Sequence, residues 1–328
     1  MSFFPLSLSL SIPVCAVRIV FCRHANDPSE GSAVTTYSID PATRGLFSPV
    51  QNFTFHMDAP GPNASRQDAP HPHGAYVDPS GRYVLVPDLG ADLIRIFAID
   101  QLSGGLKPVR PFVTEPGLGP RHVAFWLPRG AVSVGDGHGE VYMYLVSELT
   151  NTVTGFRVGY SAAGMSFTKV YKESPVGQDK PGPEGSKASA ITVSVCFLSL
   201  SLSVSLSSKL TLQPQNTHLI ISNRLDHTFG SNNDSFALFS IANANGSAFA
   251  APSFHSLRPA YGSNPRQFDI SDSAAAVAGG GRDRLVATAI QDSHEVVVAR
   301  WDAGRQAPGP LYAKLGMKGE VPAVVWDY

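Results

Sequence analysis

The 328-residue chain has only three cysteines, Cys15, Cys22 and Cys196. A set so sparse and odd excludes a disulfide framework as the source of stability. Charge of one sign is lacking too: 25 Lys and Arg against 26 Asp and Glu leave a formal net charge of −1. The basic excess expected of a nucleic-acid or membrane-surface binder is therefore missing. No apolar run approaches the ~18 residues of a membrane span, because Ser fills nearly every second position of the most apolar stretches. Helix-period stretches with caps are almost absent.

What is present points to strands and turns. Glycine (30) and proline (26) are plentiful without a short period, so the chain turns often between short strands. Two segments stand apart, FFPLSLSLSIPVC (3–15) and VCFLSLSLSVSLSS (195–208), and the cysteines lie in or beside them. Residues 198–206 alternate Leu or Val with Ser, the pattern of an amphipathic strand. The N-terminal copy also resembles a secretory signal without its basic start. One account covers both copies: a CT dinucleotide repeat encodes alternating Leu and Ser, so both read as translated non-coding sequence. The expected organisation is a leader over 1–24 and a globular region over 25–328, interrupted by a Leu/Ser insert at 192–209.

Internal repeats set the architecture. YSIDPATRGLFSPV (37–50) and FAIDQLSGGLKPV (97–109) echo each other 60 residues apart. A second series runs through YVLVPDLGADLIRIF, YLVSELTNTVTGF, LIISNRLDHTFGSNNDSFALF and LVATAIQDSHEVVVARW. Asp88, Glu148, Asn223 and Ile290 are taken as equivalent. Each unit has a short apolar strand, a turn, an alternating strand, a polar turn, another strand and a Gly-containing return. Strands rich in Val, Ile, Tyr and Phe, repeated at this spacing, predict the four-stranded blades of an all-β propeller. A β-sandwich leaves the echo unexplained. About five blades are visible, and an incomplete ring exposes edge strands.

Propeller pockets collect residues from equivalent blade positions. His71 and His73 (HPHG) lead into one blade, Arg121 and His122 (GPRHVAF) into the next, and Arg266 (SNPRQF) into a later one. Asp88, Glu148 and Arg224 stand at the second-strand position. Converging arginines suit an anionic, oxygen-rich small molecule, because a guanidinium matches carboxylate or phosphate with a planar fork of donors. Glu148 sits between apolar Val146 and Leu149, where a carboxylate must be paired or shifted in pKa. Arg224 could instead pair with Asp226 or Asp234. The His71/His73 pair shares a face as metal ligands do, but no further His or Cys stands at ligand spacing, so no metal or other cofactor is expected. DLGAD (88–92) reads as a turn.

HPHGAYVDPSGRYVLVPDLGAD, GPRHVAF, YLVSELTNTV, LIISNR and NPRQFDIS together resemble the lactonase-type seven-bladed β-propeller family, from about residue 25 to the C-terminus. That family includes propeller-type 6-phosphogluconolactonases and the fungal 3-carboxy-cis,cis-muconate cyclase. The resemblance implies a seven-bladed lactonase-type propeller truncated at its N-terminus to about five blades. It implies catalytic roles for His73, Arg121, Glu148 and Arg224, with Arg266, His122 and His71 around the substrate. Against the family pattern the segment 127–141 is longer than the usual turn, and the family's first blade and most of its second are expected to be absent.

The expected activity is lactone-ring chemistry on a small anionic lactone or dicarboxylate, foremost sugar-lactone hydrolysis. Glu148 or His73 is the expected base and the arginines the oxyanion donors. The alternatives are a carboxymuconate cyclase, a non-catalytic binding propeller and an inactive truncated product. No nucleic-acid or membrane partner is expected. Four acceptor sequons, NFT (52–54), NAS (63–65), NDS (233–235) and NGS (245–247), suit a secreted glycoprotein. A secreted protein is therefore the favoured expectation, with a cytoplasmic one as the alternative left open by the sparse cysteines.

Overall fold

The computed structural model describes residues 18–23, 32–39, 46–128, 140–177, 183–193, 218–242, 248–271, 275–276 and 282–326. No α-helix occurs among them. The first sheet has three strands, β1 (Arg18–Arg23), β2 (Ser32–Ile39) and β3 (Leu46–Phe55). The second holds β4 (Tyr76–Val77), β5 (Tyr83–Asp88), β6 (Leu93–Ile99) and β7 (Leu106–Val113). The third holds β8 (Pro120–Trp126), β9 (Val141–Ser147), β10 (Thr152–Ser161) and β11 (Gly164–Glu173). The fourth holds β12 (Lys187–Val193), β13 (His218–Arg224), β14 (Ser235–Ala242) and β15 (Phe249–Pro259).

The fifth holds β16 (Pro265–Ile270), β19 (Leu285–Ile290), β20 (Glu295–Asp302) and β21 (Ala307–Gly316), while β17 (Ala275–Ala276) and β18 (Arg282–Asp283), between β16 and β19 in the chain, pair as a separate two-stranded hairpin. Every neighbouring pair is antiparallel; among the described residues the second to fifth sheets contact one another in succession, and the first packs on the second through a shared core. This is the up-and-down blade order of a β-propeller. Of the Leu/Ser segment, Thr192 and Val193 complete β12, paired with Ile220 and Leu219. Residues 1–17, 129–139 and 194–209 lie outside the described residues, so most of the leader, the insert and the long 127–141 segment do too.

The second strands correct the expected polar alternation. In β9 all seven residues are buried, and β5 and β13 are nearly so. The period of two survives as a choice between neighbours. Val141, Met143 and Leu145 enter the core shared with the second sheet, while Tyr142, Tyr144 and Val146 enter the one shared with the fourth. Leu85 likewise faces the third sheet, whereas Val84 and Val86 face the first. A strand with sheets packed on both faces becomes apolar throughout. Four such cores hold the five sheets in sequence.

Polar turns lock each sheet to the next. Asp92, at φ 49°, accepts hydrogen bonds from the Gly117 and Gly119 N–H groups at 2.6 and 2.9 Å. Asn151, at φ 48°, accepts from the Ala188 N–H at 2.7 Å. Asp234 accepts from the Asn264 N–H at 2.7 Å. DLGAD is thus a turn whose last carboxylate fixes the approach to the following sheet.

Candidate active site

The approaches fixed by those turns carry the chemistry. Pro120 pairs with Ser147 and His122 with Val146, so Arg121 is the extra residue of a β-bulge. Arg266 is extra in the same way between the Pro265–Ile290 and Gln267–Ala289 pairs. In the fourth sheet the shift between Ala188 and Ile191 gives Ser189 this position, and in the second the Pro72–Asp88 bridge gives it to His73. A bulge bends its strand and re-aims a side chain. His73, Arg121, Ser189 and Arg266 therefore form one equivalent set.

A second set begins the turn after the second strand. The Glu148 N–H donates to the Gly119 carbonyl at 2.8 Å, as Leu89 does to His71 and Gln291 to Asn264. Arg224 stands one residue beyond the Asn223–Ala188 pair. The assumed equivalence of Asp88 and Glu148 is therefore wrong by one residue: hairpin register aligns Asp88 with Ser147 and Ile290. A slip of one position exchanges the two faces of a strand. Asp88 faces Arg95 of its own sheet, bonded at 2.8 Å, and also accepts from the His71 N–H at 2.7 Å.

Glu148 is the hub of the cluster, only 2% exposed. Its Oε2 accepts from Arg121 Nε at 2.9 Å and Arg224 Nη2 at 2.6 Å, and its Oε1 from Arg66 Nη2 at 2.8 Å. Lys187 Nζ stands 3.9 Å from Oε1. Burial opposes ionisation, but the Arg224 and Arg121 charges overcome it and hold the carboxyl well below the usual range. Arg224 thus pairs with Glu148 and not with Asp226 or Asp234, which bond to Thr228 and Ser235 and to the Leu225 and His227 N–H groups. Arg121 Nη1 and Arg224 Nε are buried donors with no partner among the described residues. Arg266 bonds through Nη1 to Gln291 Oε1 at 2.6 Å and feels the charges of Arg224 and Glu148.

The histidines divide. His71 turns its ring to Asp68, with Nε2 2.8 Å from Oδ1, and supports its neighbour through its carbonyl. That carbonyl lies 2.8 Å from His73 Nδ1. A carbonyl only accepts, so Nδ1 carries the proton and neutral His73 keeps an acceptor lone pair on Nε2. Burial holds His73 well below its ordinary value of 6.5, helped by Arg121 and opposed by Glu148. His122 meets His73 edge-on, with ring centroids 6.3 Å apart, and bonds through Nδ1 to the Tyr76 hydroxyl. Burial and Arg121 lower its pKa too.

The structure thus brings together His73, His122, Arg121, Glu148, Arg224 and Arg266, and sets the ring of His71 against Asp68. Arg66 and Lys187 were missed. Arg66 lies in the irregular 56–75 segment, outside every repeat, and Lys187 opens the strand that leads into the Leu/Ser segment. Among the described residues no group of three or more His, Cys, Asp or Glu could hold a metal ion. Of the sequon asparagines, Asn52 and Asn63 are exposed, Asn233 Oδ1 accepts from the Tyr261 N–H, and Asn245 lies outside the described residues.

Comparison with known proteins agrees with this fold. The family described as "Lactonase, 7-bladed beta-propeller" matches residues 25–325. The chain belongs to that family of lactonase propellers. It is 34% identical over 189 residues to the "Probable 6-phosphogluconolactonase" of Arthroderma benhamiae, covering 56% of this chain and 39% of that protein. It is 39% identical over 101 residues to the 6-phosphogluconolactonase of Serratia proteamaculans, 30% of this chain and 26% of that one. The Bacillus subtilis 6-phosphogluconolactonase is 31% identical over 134 residues, 41% and 33% of the two chains. The chain covers less than half the length of each of these relatives. Among solved structures, the periplasmic gluconolactonase PpgL of Pseudomonas aeruginosa superposes with a TM-score of 0.59 at 21% identity, over 93% of this chain and 69% of that one. A Lactobacillus plantarum protein gives 0.59 at 19% identity, with the same coverage. These superpositions establish the fold.

Proposed function

We propose that the chain hydrolyses a sugar lactone carrying an anionic group, in the manner of a 6-phosphogluconolactonase. The observation that carries this reading is a neutral His73, its Nε2 lone pair available, beside buried guanidinium donors held by Glu148. Water attacks the lactone carbonyl carbon while His73 Nε2 takes its proton. Arg121 Nη1 and Arg224 Nε stabilise the oxyanion formed on the carbonyl oxygen. The ring C–O bond then breaks, and the imidazolium returns the proton to the leaving ring oxygen. The product acid ionises, so one proton is released per turnover. Glu148, ion-paired on both oxygens, is the positioning residue, and His73 the base.

Proton release from 6-phosphogluconolactone under pH-stat conditions tests this reading. Hydrolysis no faster than the spontaneous rate rejects it. The arginine excess also fits a tricarboxylate, as a carboxymuconate cyclase requires, with a substrate carboxylate closing the ring and His73 moving the proton. Loss of diene absorbance from carboxymuconate without lactone hydrolysis selects that reading. Binding of either compound without turnover selects a non-catalytic scaffold.

A further inference from the structure

We infer that Arg66 is an exchangeable anion clamp: it leaves Glu148 to bind a second anionic group on the substrate, remote from the reacting carbonyl. The inference deepens the lactonase reading and rests on it for the identity of the substrate.

Three observations set Arg66 apart from the other cations. The first is exposure. Arg121 and Arg224 hold Glu148 Oε2 from the interior, their side chains 1% and 9% exposed, whereas Arg66 holds Oε1 with its side chain 38% exposed. Of these three guanidiniums, Arg66 is the one an incoming solute meets first. The second is the backing for exchange. Lys187 Nζ stands 3.9 Å from the same Oε1, so Glu148 keeps cations on both oxygens when Arg66 turns away. A buried carboxylate stripped of its partners is costly, and this arrangement avoids that state.

The third is the rigid base from which Arg66 swings. Arg66 and Gln67 donate their N–H groups to the Asn63 carbonyl at 2.9 and 2.7 Å, and Gly61 donates to the Gln67 carbonyl at 2.9 Å. Gln67 is fully buried; its Nε2 donates to the Leu89 carbonyl at 3.0 Å and its Oε1 accepts from the Asn63 N–H at 3.0 Å. The backbone of the segment is pinned to the second sheet, so the freedom at Arg66 lies in its side chain. A planar fork on a fixed backbone suits bidentate capture of phosphate or carboxylate, and it need not take part in the bond-breaking step.

The test compares wild type with Arg66→Ala and Arg66→Lys on two substrates, 6-phosphogluconolactone and unphosphorylated gluconolactone. We expect kcat/KM for the phosphorylated lactone to fall ~10- to 100-fold in Arg66→Ala, mainly through KM, the scale of one charge-assisted contact. Loss on the unphosphorylated lactone should be smaller by ~10-fold or more, and Lys should restore part of the difference. Inorganic phosphate, titrated calorimetrically, provides a readout independent of turnover, and its affinity should fall by a similar factor in Arg66→Ala. Should wild type hydrolyse neither lactone but bind phosphate through Arg66, the anion clamp stands and the lactonase reading falls. Equal losses on both substrates, or unchanged phosphate affinity, overturn the clamp.

Discussion

The second and third sheets each bury a carboxylate where the second strand meets its turn, and they use it in opposite ways. Asp88 closes on itself: it takes Arg95 from the adjacent strand and the N–H groups of His71 and Ala91, all within its own sheet and its approach. Glu148 reaches out, taking Arg121 from its own sheet, Arg224 from the fourth and Arg66 from a segment 82 residues earlier. The first pattern completes a corner. The second suspends a carboxylate among converging cations, two of which retain buried donors with no partner among the described residues. One residue of register decides between them, because it determines which face of the strand the carboxylate takes. Burial of a charge therefore does not by itself distinguish a structural carboxylate from a site one; the origin of its partners does.

The sharpest way to break that comparison is to neutralise both carboxylates. Glu148→Gln should lower turnover by ~100-fold or more, since it leaves the two buried guanidiniums without the charge that positions them. Asp88→Asn should cost about 3 kcal/mol of stability, the scale of a broken buried pair, while the folded fraction turns over at near the wild-type rate. Denaturant titration with rate measurements on the folded protein separates the two outcomes. Arg121→Ala belongs with Glu148→Gln at ~100-fold, and so does His73→Asn, which removes the base. If Asp88→Asn abolishes turnover in folded protein, the division between corner and hub is wrong.

A packing substitution probes the base beneath Arg66. A Cβ on Gly90 would lie 1.8 Å from the Ala69 carbonyl oxygen, a backbone atom in the segment carrying Arg66. Gly90→Ala should therefore displace that segment. We expect ~1–3 kcal/mol of destabilisation, as for other overpacked sites, and a KM increase for the phosphorylated lactone larger than any change in kcat. Unchanged KM in the folded variant would show that the segment does not set the position of Arg66.

Much of this was legible in the sequence. The order of sheets follows from strands and turns recurring at a fixed period, and Arg121 and Arg266 share a Pro-Arg signature because both follow the proline that opens a bulged strand. The mistake at Asp88 has an equally plain cause. DL at 88–89 and EL at 148–149 look alike, yet hairpin register pairs Asp88 with Leu93 and Ser147 with Thr152, which offsets the two motifs by one. Composition cannot reveal that offset; only the count from the paired residue to the turn can. Arg66 was illegible for another reason. Its segment belongs to no strand and repeats nowhere, so periodicity carries no signal for it, although the buried Gln67 beside it fixes its place. The unbroken burial of β9 likewise needs a neighbour on each face, which a single strand's pattern does not announce.

Acidification acts on the site in one direction. His73 and His122 have pKa values below 6.5 in the folded state, so the native protein binds fewer protons there than the unfolded chain. Their contribution is complete above 6.5 and is lost as pH falls through that value towards the folded ones. Glu148, held below 4.5, adds stability that is lost as pH falls through its own lowered value. Stability should therefore decline in two stages on acidification. kcat/KM should fall along an acid limb whose midpoint lies below 6.5, as His73 becomes protonated. Arg121→Lys keeps the charge and should leave that limb largely in place, while a limb centred above 6.5 in wild type would rule out His73 as the base.

The smallest expected effect separates the two histidines. His122 is tied through Nδ1 to the Tyr76 hydroxyl, whereas His73 is oriented by a backbone carbonyl. Removing the hydroxyl in Tyr76→Phe deletes one hydrogen bond and leaves the ring in place, a loss of about 1 kcal/mol in stability. On the present assignment His122 shapes the pocket and His73 moves the proton, so kcat in Tyr76→Phe should stay within ~3-fold of wild type, against the ~100-fold loss expected for a general base. The pH profile gives the decisive contrast: Tyr76→Phe should leave the acid limb where it is. A loss as deep as that of His73→Asn, with a displaced limb, would put Tyr76 and His122 in the proton path and assign the base to the pair.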